Sequence, residues 1–243
     1  METFFQDILY PGSIERLDAL IDGNADAVSA RLILLPHAEA SLVAPFYSSA
    51  LKGLSGKRIL FLAPMHNERM QSHSDDSLLT VSEGMLNGVH VESAPSIPVE
   101  NSILEEEYSL ELFLAFLSRI SEGNTVIPIF TSLSGRKEIR QLASYLEAFS
   151  DEVIVISGNL ASGNTNQEAY RSASLALSLL KNNESLLDEG NRGHLSGCCW
   201  QLLEATRGVG GSFTLIASRC GDSISNELVE AEGKVYQVFA VRK

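Results

Sequence analysis

The stretch Arg31–Asn67, RLILLPHAEASLVAPFYSSALKGLSGKRILFLAPMHN, sets two short apolar runs on either side of one helix-length segment. Each run closes on a proline with a histidine within two residues. Ile33, Leu34 and Leu35 are too few for a helix and stop at Pro36, so they predict a buried strand. Ile59 to Ala63 repeats the pattern before Pro64. Between the runs, Leu42, Ala44, Pro45, Tyr47, Ala50, Leu51 and Leu54 include spacings of three and four, and Gly53 and Gly56 end the predicted helix. A strand, crossover helix and second strand of this length form a right-handed parallel unit, and in open α/β sheets ligands collect outside the carboxyl ends of the strands. His37 and His66 are therefore expected at equivalent strand ends, facing one crevice.

Outward from this unit the same alternation continues. Ser13 is placed to cap a helix with Arg16 at its third position and Leu17, Leu20 and Ile21 on one face. After Asn67 a long polar loop leads into a hairpin containing Val89 and Val91. Leu104 to Ile120 reads as a helix with a broad apolar face formed by Leu110, Leu112, Phe113, Phe116, Leu117 and Ile120. Thr125–Ser132 is the next strand, where Pro128 suits a sheet edge or a strand end. Gly135 to Phe149 is an amphipathic helix. Val153 to Ile156 is continuously apolar, as a strand covered on both faces should be. Asn166 to Leu180 and Gly197 to Thr206 read as helices, and residues 211–220 and 234–242 as two final strands. The expectation is one three-layer α/β/α domain over residues 1–243, with a mostly parallel central sheet.

Composition narrows the partners. A formal net charge of -13 without a lysine or arginine cluster argues against nucleic acid. Three cysteines, two of them adjacent, make no disulfide framework and point to a reducing, cytoplasmic compartment. The first residues carry acid before any base and no long apolar run, so neither a leader nor a membrane span is predicted.

Several short motifs, taken in order, make the chain similar to one family. Pro36-His37-Ala38-Glu39-Ala40 resembles a "PHAGY" motif, Ala63-Pro64-Met65-His66-Asn67 resembles "GPsHh", and Glu107-Tyr108-Ser109-Leu110-Glu111 resembles "EHSlE". Val126 to Phe130 is similar to "ivPilvg", and Val155 to Ser162 to "vvSSDlsH". These are motifs of the Memo family, also called AmmeMemoRadiSam system protein B, whose fold is shared with class III extradiol (LigB-type) dioxygenases. The resemblance implies a LigB/Memo-like fold and a metal site on His37, His66 and a third ligand. Counting back from Leu202-Leu203-Glu204-Ala205 puts that ligand at His194, while a shift of a few residues makes it Cys198. The divalent metal implied is iron, zinc or copper, a choice of donors that neutral imidazoles suit. Glu39, Asn67, Tyr108, Asn159, Ser162 and Cys198 are expected to line the same cleft.

The departures from the family pattern shift the expected function. Tyr108, Asn159 and Ser162 stand where the family has histidine, aspartate and histidine, so a proton-transferring base is missing. Tyr108, with an ordinary pKa of about 10, is a poor substitute at neutral pH. The expectation is a protein that binds a small molecule or peptide in the cleft, or a radical-SAM system protein partner, with the remnant of a metal site. The alternative is a metal-dependent oxidoreductase or dioxygenase-like enzyme. Glu107 and Glu111, four apart on the predicted helix, suit the helix dipole better than an acid pair. Cys198, Cys199 and Trp200 read as packing residues, and Arg207 to Gly211 as a turn.

Overall fold

A computed structural model gives the fold of residues 1–65, 78–132, 135–188, 195, 199–222 and 234–243. The strands are β1 (Leu32–Leu35), β2 (Arg58–Pro64), β3 (Leu78–Leu79), β4 (Gly84–Leu86), β5 (Val89–Val91), β6 (Thr125–Thr131), β7 (Val153–Ser157), β8 (Ala161–Gly163), β9 (Phe213–Gly221) and β10 (Lys234–Arg242). The helices are α1 (Ile14–Asp18), α2 (Ala40–Lys52), α3 (Ile103–Glu106), α4 (Ser109–Ile120), α5 (Arg136–Leu146), α6 (Asn166–Lys181) and α7 (Trp200–Ala205). All ten strands join one mixed sheet in the order β4-β5-β6-β2-β7-β1-β10-β8, with β3 added on β6 and β9 on β10. Its centre, β5 through β1, is parallel. β10 runs antiparallel to β1, β8 and β9.

The apolar runs of the central strands are continuous because both faces are covered. Ile33, Leu35, Ile59 and Phe61 pack under α2 and α4, in a core with Tyr47, Phe113 and Phe116. Leu32, Leu34, Leu60 and Leu62 pack on the other side against α5, α6 and α7. Tyr47 meets Phe116 edge-on at 5.1 Å between ring centroids, and Phe61 meets Phe113 at 4.9 Å. Full burial of each such side chain stabilises the fold by roughly 1.5–3 kcal/mol, which is why the helices hold their faces to the sheet.

Local signals are honoured closely at several points. Ser13 caps α1 by accepting from the Arg16 N–H, and Thr165 caps α6 by accepting from the Glu168 N–H. β4 and β5 form a hairpin whose turn residues Asn87 and Gly88 both have positive φ, 49° and 78°. That is the conformation an Asn-Gly pair adopts most readily between two strands.

Three features differ from the sequence reading. First, β1 and β2 are not neighbours: β7, from more than ninety residues later, lies between them and pairs with both. Second, residues 103–120 form two helices rather than one. Glu107 is extended (φ -117°, ψ 102°), so Glu107 and Glu111 do not share a helix face. Third, β6 is interior by sheet order, yet Pro128 lies opposite a gap on its outer side. β5 pairs no further than Val126 and β3 only from Phe130, and the gap is closed by the Thr80 hydroxyl donating to the Pro128 carbonyl. A strand residue without an N–H is tolerated where no ladder needs it. Among the described residues, no helix is long and apolar enough to cross a membrane.

Candidate functional site

The chain leaves β1 toward α2 on one face of the sheet and leaves β7 toward α6 on the other. Adjacent parallel strands whose connections diverge in this way open a crevice at their carboxyl ends. The segment after β7 then crosses the end of β1: the Gly158 N–H donates to the Leu35 carbonyl, and the Leu160 N–H to the Tyr236 carbonyl on β10. His37, two residues past β1, sits at this switch point.

His37 is held from three directions. Tyr47, fully buried on α2, donates its hydroxyl to the Pro36 carbonyl at 3.0 Å, fixing the backbone just before the histidine. The His37 Nδ1 lies 3.2 Å from the Ser157 Oγ at the end of β7. The Tyr108 ring meets the imidazole edge-on, with centroids 5.5 Å apart. His37 and Ser157 are each 1% exposed. They have the reach of a base and a nucleophile, and the hydroxyl fixes the orientation of the ring through Nδ1.

Tyr108 reaches His37 because the 103–120 segment breaks there. Glu107 accepts from the Ser109 N–H at 3.2 Å, and α4 starts afresh with Tyr108 at its N-cap. Phe5 packs edge-on against Tyr108 with ring centroids 6.0 Å apart, so the N-terminal segment reaches the site through an aromatic chain. Glu111, in the first turn of α4, secures that segment. Its carboxylate accepts from the Phe4 N–H at 2.7 Å, the Phe5 N–H at 2.9 Å and the Tyr10 hydroxyl at 2.7 Å. Burial first, and then the bond to Glu111, pushes the Tyr10 phenol well above its ordinary value.

The expected site residues therefore separate. Tyr108 joins His37, and Asn159 lies two residues beyond Ser157 with its carbonyl 3.3 Å from the Cys199 thiol. Ser162 is displaced onto β8, paired with Val235 at the far side of the sheet. Glu39 belongs elsewhere: it lines a cavity of about 360 Å³ with Asp7, Tyr10, Arg16 and Ser41, and accepts from the Ser41 hydroxyl. His66, Asn67, His194 and Cys198 lie outside the described residues. Cys199 is buried, as a packing cysteine should be, and Cys220 is half-buried.

Ser157, Tyr47 and Glu111 are the positioning residues to which the sequence reading gave no role in the site. Ser157 and Glu111 had a signal, since they fall inside the segments similar to "vvSSDlsH" and "EHSlE". The metal expectation rests on one described residue, His37. Among the described residues, no group of three His, Cys, Asp or Glu side chains gathers closely enough to hold an ion. A serine hydroxyl and a tyrosine ring beside His37 are poor donors for zinc, iron or copper, so no chemical step is derived through a metal. No model of a known protein family matches the chain, and no curated protein matches it.

Proposed function

We propose that this chain is a divergent Memo-like protein that binds a small polar ligand at the carboxyl ends of β1 and β7, with His37 as the floor of the site. The observation that carries the reading is the fixing of His37 at the switch point by Tyr47, Ser157 and Tyr108. Two separate elements meet the imidazole itself and a third fixes the backbone just before it, and pre-orientation of this kind is what a binding group requires. Binding is favoured over turnover because Tyr108, Asn159 and Ser162 replace the ionisable groups a ring-cleaving relative would use. The ordered series of motifs supports the family relation, and the α/β architecture suits it.

The test is a thermal-shift screen of catechol-type diols and small carboxylates against the wild type and His37→Asn. Saturable stabilisation that disappears in the variant supports the reading, since a ligand raises stability in proportion to its occupancy of the folded state. Stabilisation retained in His37→Asn, or none across the panel, refutes it. The metalloenzyme alternative is separated by metal analysis of protein purified without chelator or tag metal, alongside folded His37→Ala and His194→Ala variants. Near-stoichiometric iron, zinc or copper lost in both would favour an enzyme. A radical-SAM partner would be sought only after that alternative fails.

A further inference from the structure

A second cavity, of about 360 Å³, lies between α5, the 185–188 segment and the end of α7. It is lined by Arg136, Arg140 and Arg207 together with Ser185, Asp188 and Glu204. A volume near the lower end of small-molecule sites suits a compact ligand.

The charges around this cavity are not balanced from within. Arg136 and Arg140 are one turn apart on α5, where like charges repel each other. Among the described residues, neither forms an ion pair. Among the described residues, the only hydrogen bond from these two guanidinium groups runs from Arg136 to the Leu187 carbonyl at 3.1 Å. Most of their N–H donors are thus available in a fork geometry that matches oxyanions. Glu204 does not neutralise them, because its carboxylate is already occupied by the Ser185 hydroxyl at 3.1 Å, the Leu186 N–H at 2.9 Å and Arg207 at 3.4 Å. Arg242 adds positive charge behind Arg207, donating to the carbonyls of Thr206 and Arg207. Asp188 faces the same space and opposes an anion. In a chain of net charge -13, a concave site with surplus arginine stands out from the acidic remainder.

We propose that this cavity binds a small phosphorylated molecule, with its phosphate held between Arg136 and Arg140. The site is independent of His37 and of the reading given for it. Arginine pairs make bidentate, charge-assisted bonds to phosphate oxygens, stronger than neutral ones, and the rest of the cavity accommodates the group that carries the phosphate.

The experiment is isothermal titration of inorganic phosphate into the full chain at low ionic strength. The wild type is compared with Arg140→Gln, Asp188→Asn and Arg171→Gln, the last removing an exposed arginine that does not line the cavity. Arg140 is exposed and engaged by no described side chain, so its variant should fold, which circular dichroism would verify. Saturable one-site binding is expected, weakened about tenfold or more by Arg140→Gln, the loss of a hydrogen bond to a charged group. Asp188→Asn should tighten it severalfold by removing an opposing charge, and Arg171→Gln should leave it unchanged. No saturable binding by the wild type would overturn the proposal. So would equal affinity in Arg140→Gln, or an equal loss in Arg171→Gln, which would mark a general response to net charge.

Discussion

Replacing Glu111 with Gln should loosen the N-terminal segment and cost about 2–3 kcal/mol. The carboxylate is 2% exposed and accepts three hydrogen bonds, two on Oε1 from Phe5 N–H and Tyr10 O–H and one on Oε2 from Phe4 N–H. Glutamine keeps the volume but has a single acceptor oxygen. With that oxygen turned toward Phe5 and Tyr10, its NH₂ meets the Phe4 N–H donor to donor. With the amide flipped, the Phe5 N–H is opposed instead. A bond to a charged group contributes roughly 1.5–3 kcal/mol net and a neutral one about 0.5–1.5. One bond is therefore lost and two are weakened. Phe4 is exposed and Phe5 only half-buried, so their N–H groups recover water when the segment lifts, which keeps the total well below three full bonds.

For a chain of this length, such a loss lowers Tm by roughly 4–12 °C. The assay is urea denaturation with the m-value held in common, paired with limited proteolysis of residues 1–12. Tyr10→Phe and the double variant complete a thermodynamic cycle, in which the shared carboxylate should give a coupling above about 0.5 kcal/mol. A Glu111→Gln variant within about 0.5 kcal/mol of wild type, equally resistant to protease, would show that the packing of Phe5, rather than the carboxylate, holds the segment. The consequence reaches the site, because Phe5 backs Tyr108 and Tyr108 backs His37.

Tyr47→Phe should cost about 1–3 kcal/mol by leaving the buried Pro36 carbonyl without its donor; a chemical-denaturation midpoint equal to wild type would sink the claim that this hydroxyl anchors the His37 backbone. Gly53→Ala should destabilise by roughly 1–3 kcal/mol, because its methyl group would be driven into the Val28 carbonyl oxygen; unchanged thermal unfolding would contradict that close approach. Stability should hold through neutral pH and fall above about pH 10, since burial raises the Tyr10 and Tyr47 phenols in the folded state only. The unfolded chain then releases its protons first, and ionisation pulls the equilibrium toward it as pH rises. The fall should be shallower in Tyr10→Phe, and an identical alkaline slope in wild type and variant would remove Tyr10 from the account.

What could be read from the sequence, and what could not, follows the reach of each interaction. The Ser13 cap and the closures at Pro36 and Gly53 are decided within a few residues, and each is where the pattern put it; the Thr165 cap and the Asn87-Gly88 turn are just as local, though the sequence reading did not name them. The insertion of β7 between β1 and β2 is decided by the pairing of Ile33 with Val155 and Phe61 with Val155, across more than ninety residues. Hydrophobic runs alone do not encode that choice, because any of the buried parallel strands satisfies the same pattern. Glu111 is the sharper case. As an acid in a first helical turn it is indistinguishable from a dipole complement, and only the return of Phe4, Phe5 and Tyr10 from a hundred residues away makes it an anchor. The site shows the same division: Tyr108 joins His37 because a helix breaks locally at Glu107, while Glu39, only two residues from His37, is drawn into another cavity by the N-terminal segment. Proximity in sequence to a strand-end histidine thus says little about membership of its site, because one helical N-cap is enough to turn neighbouring side chains into different pockets.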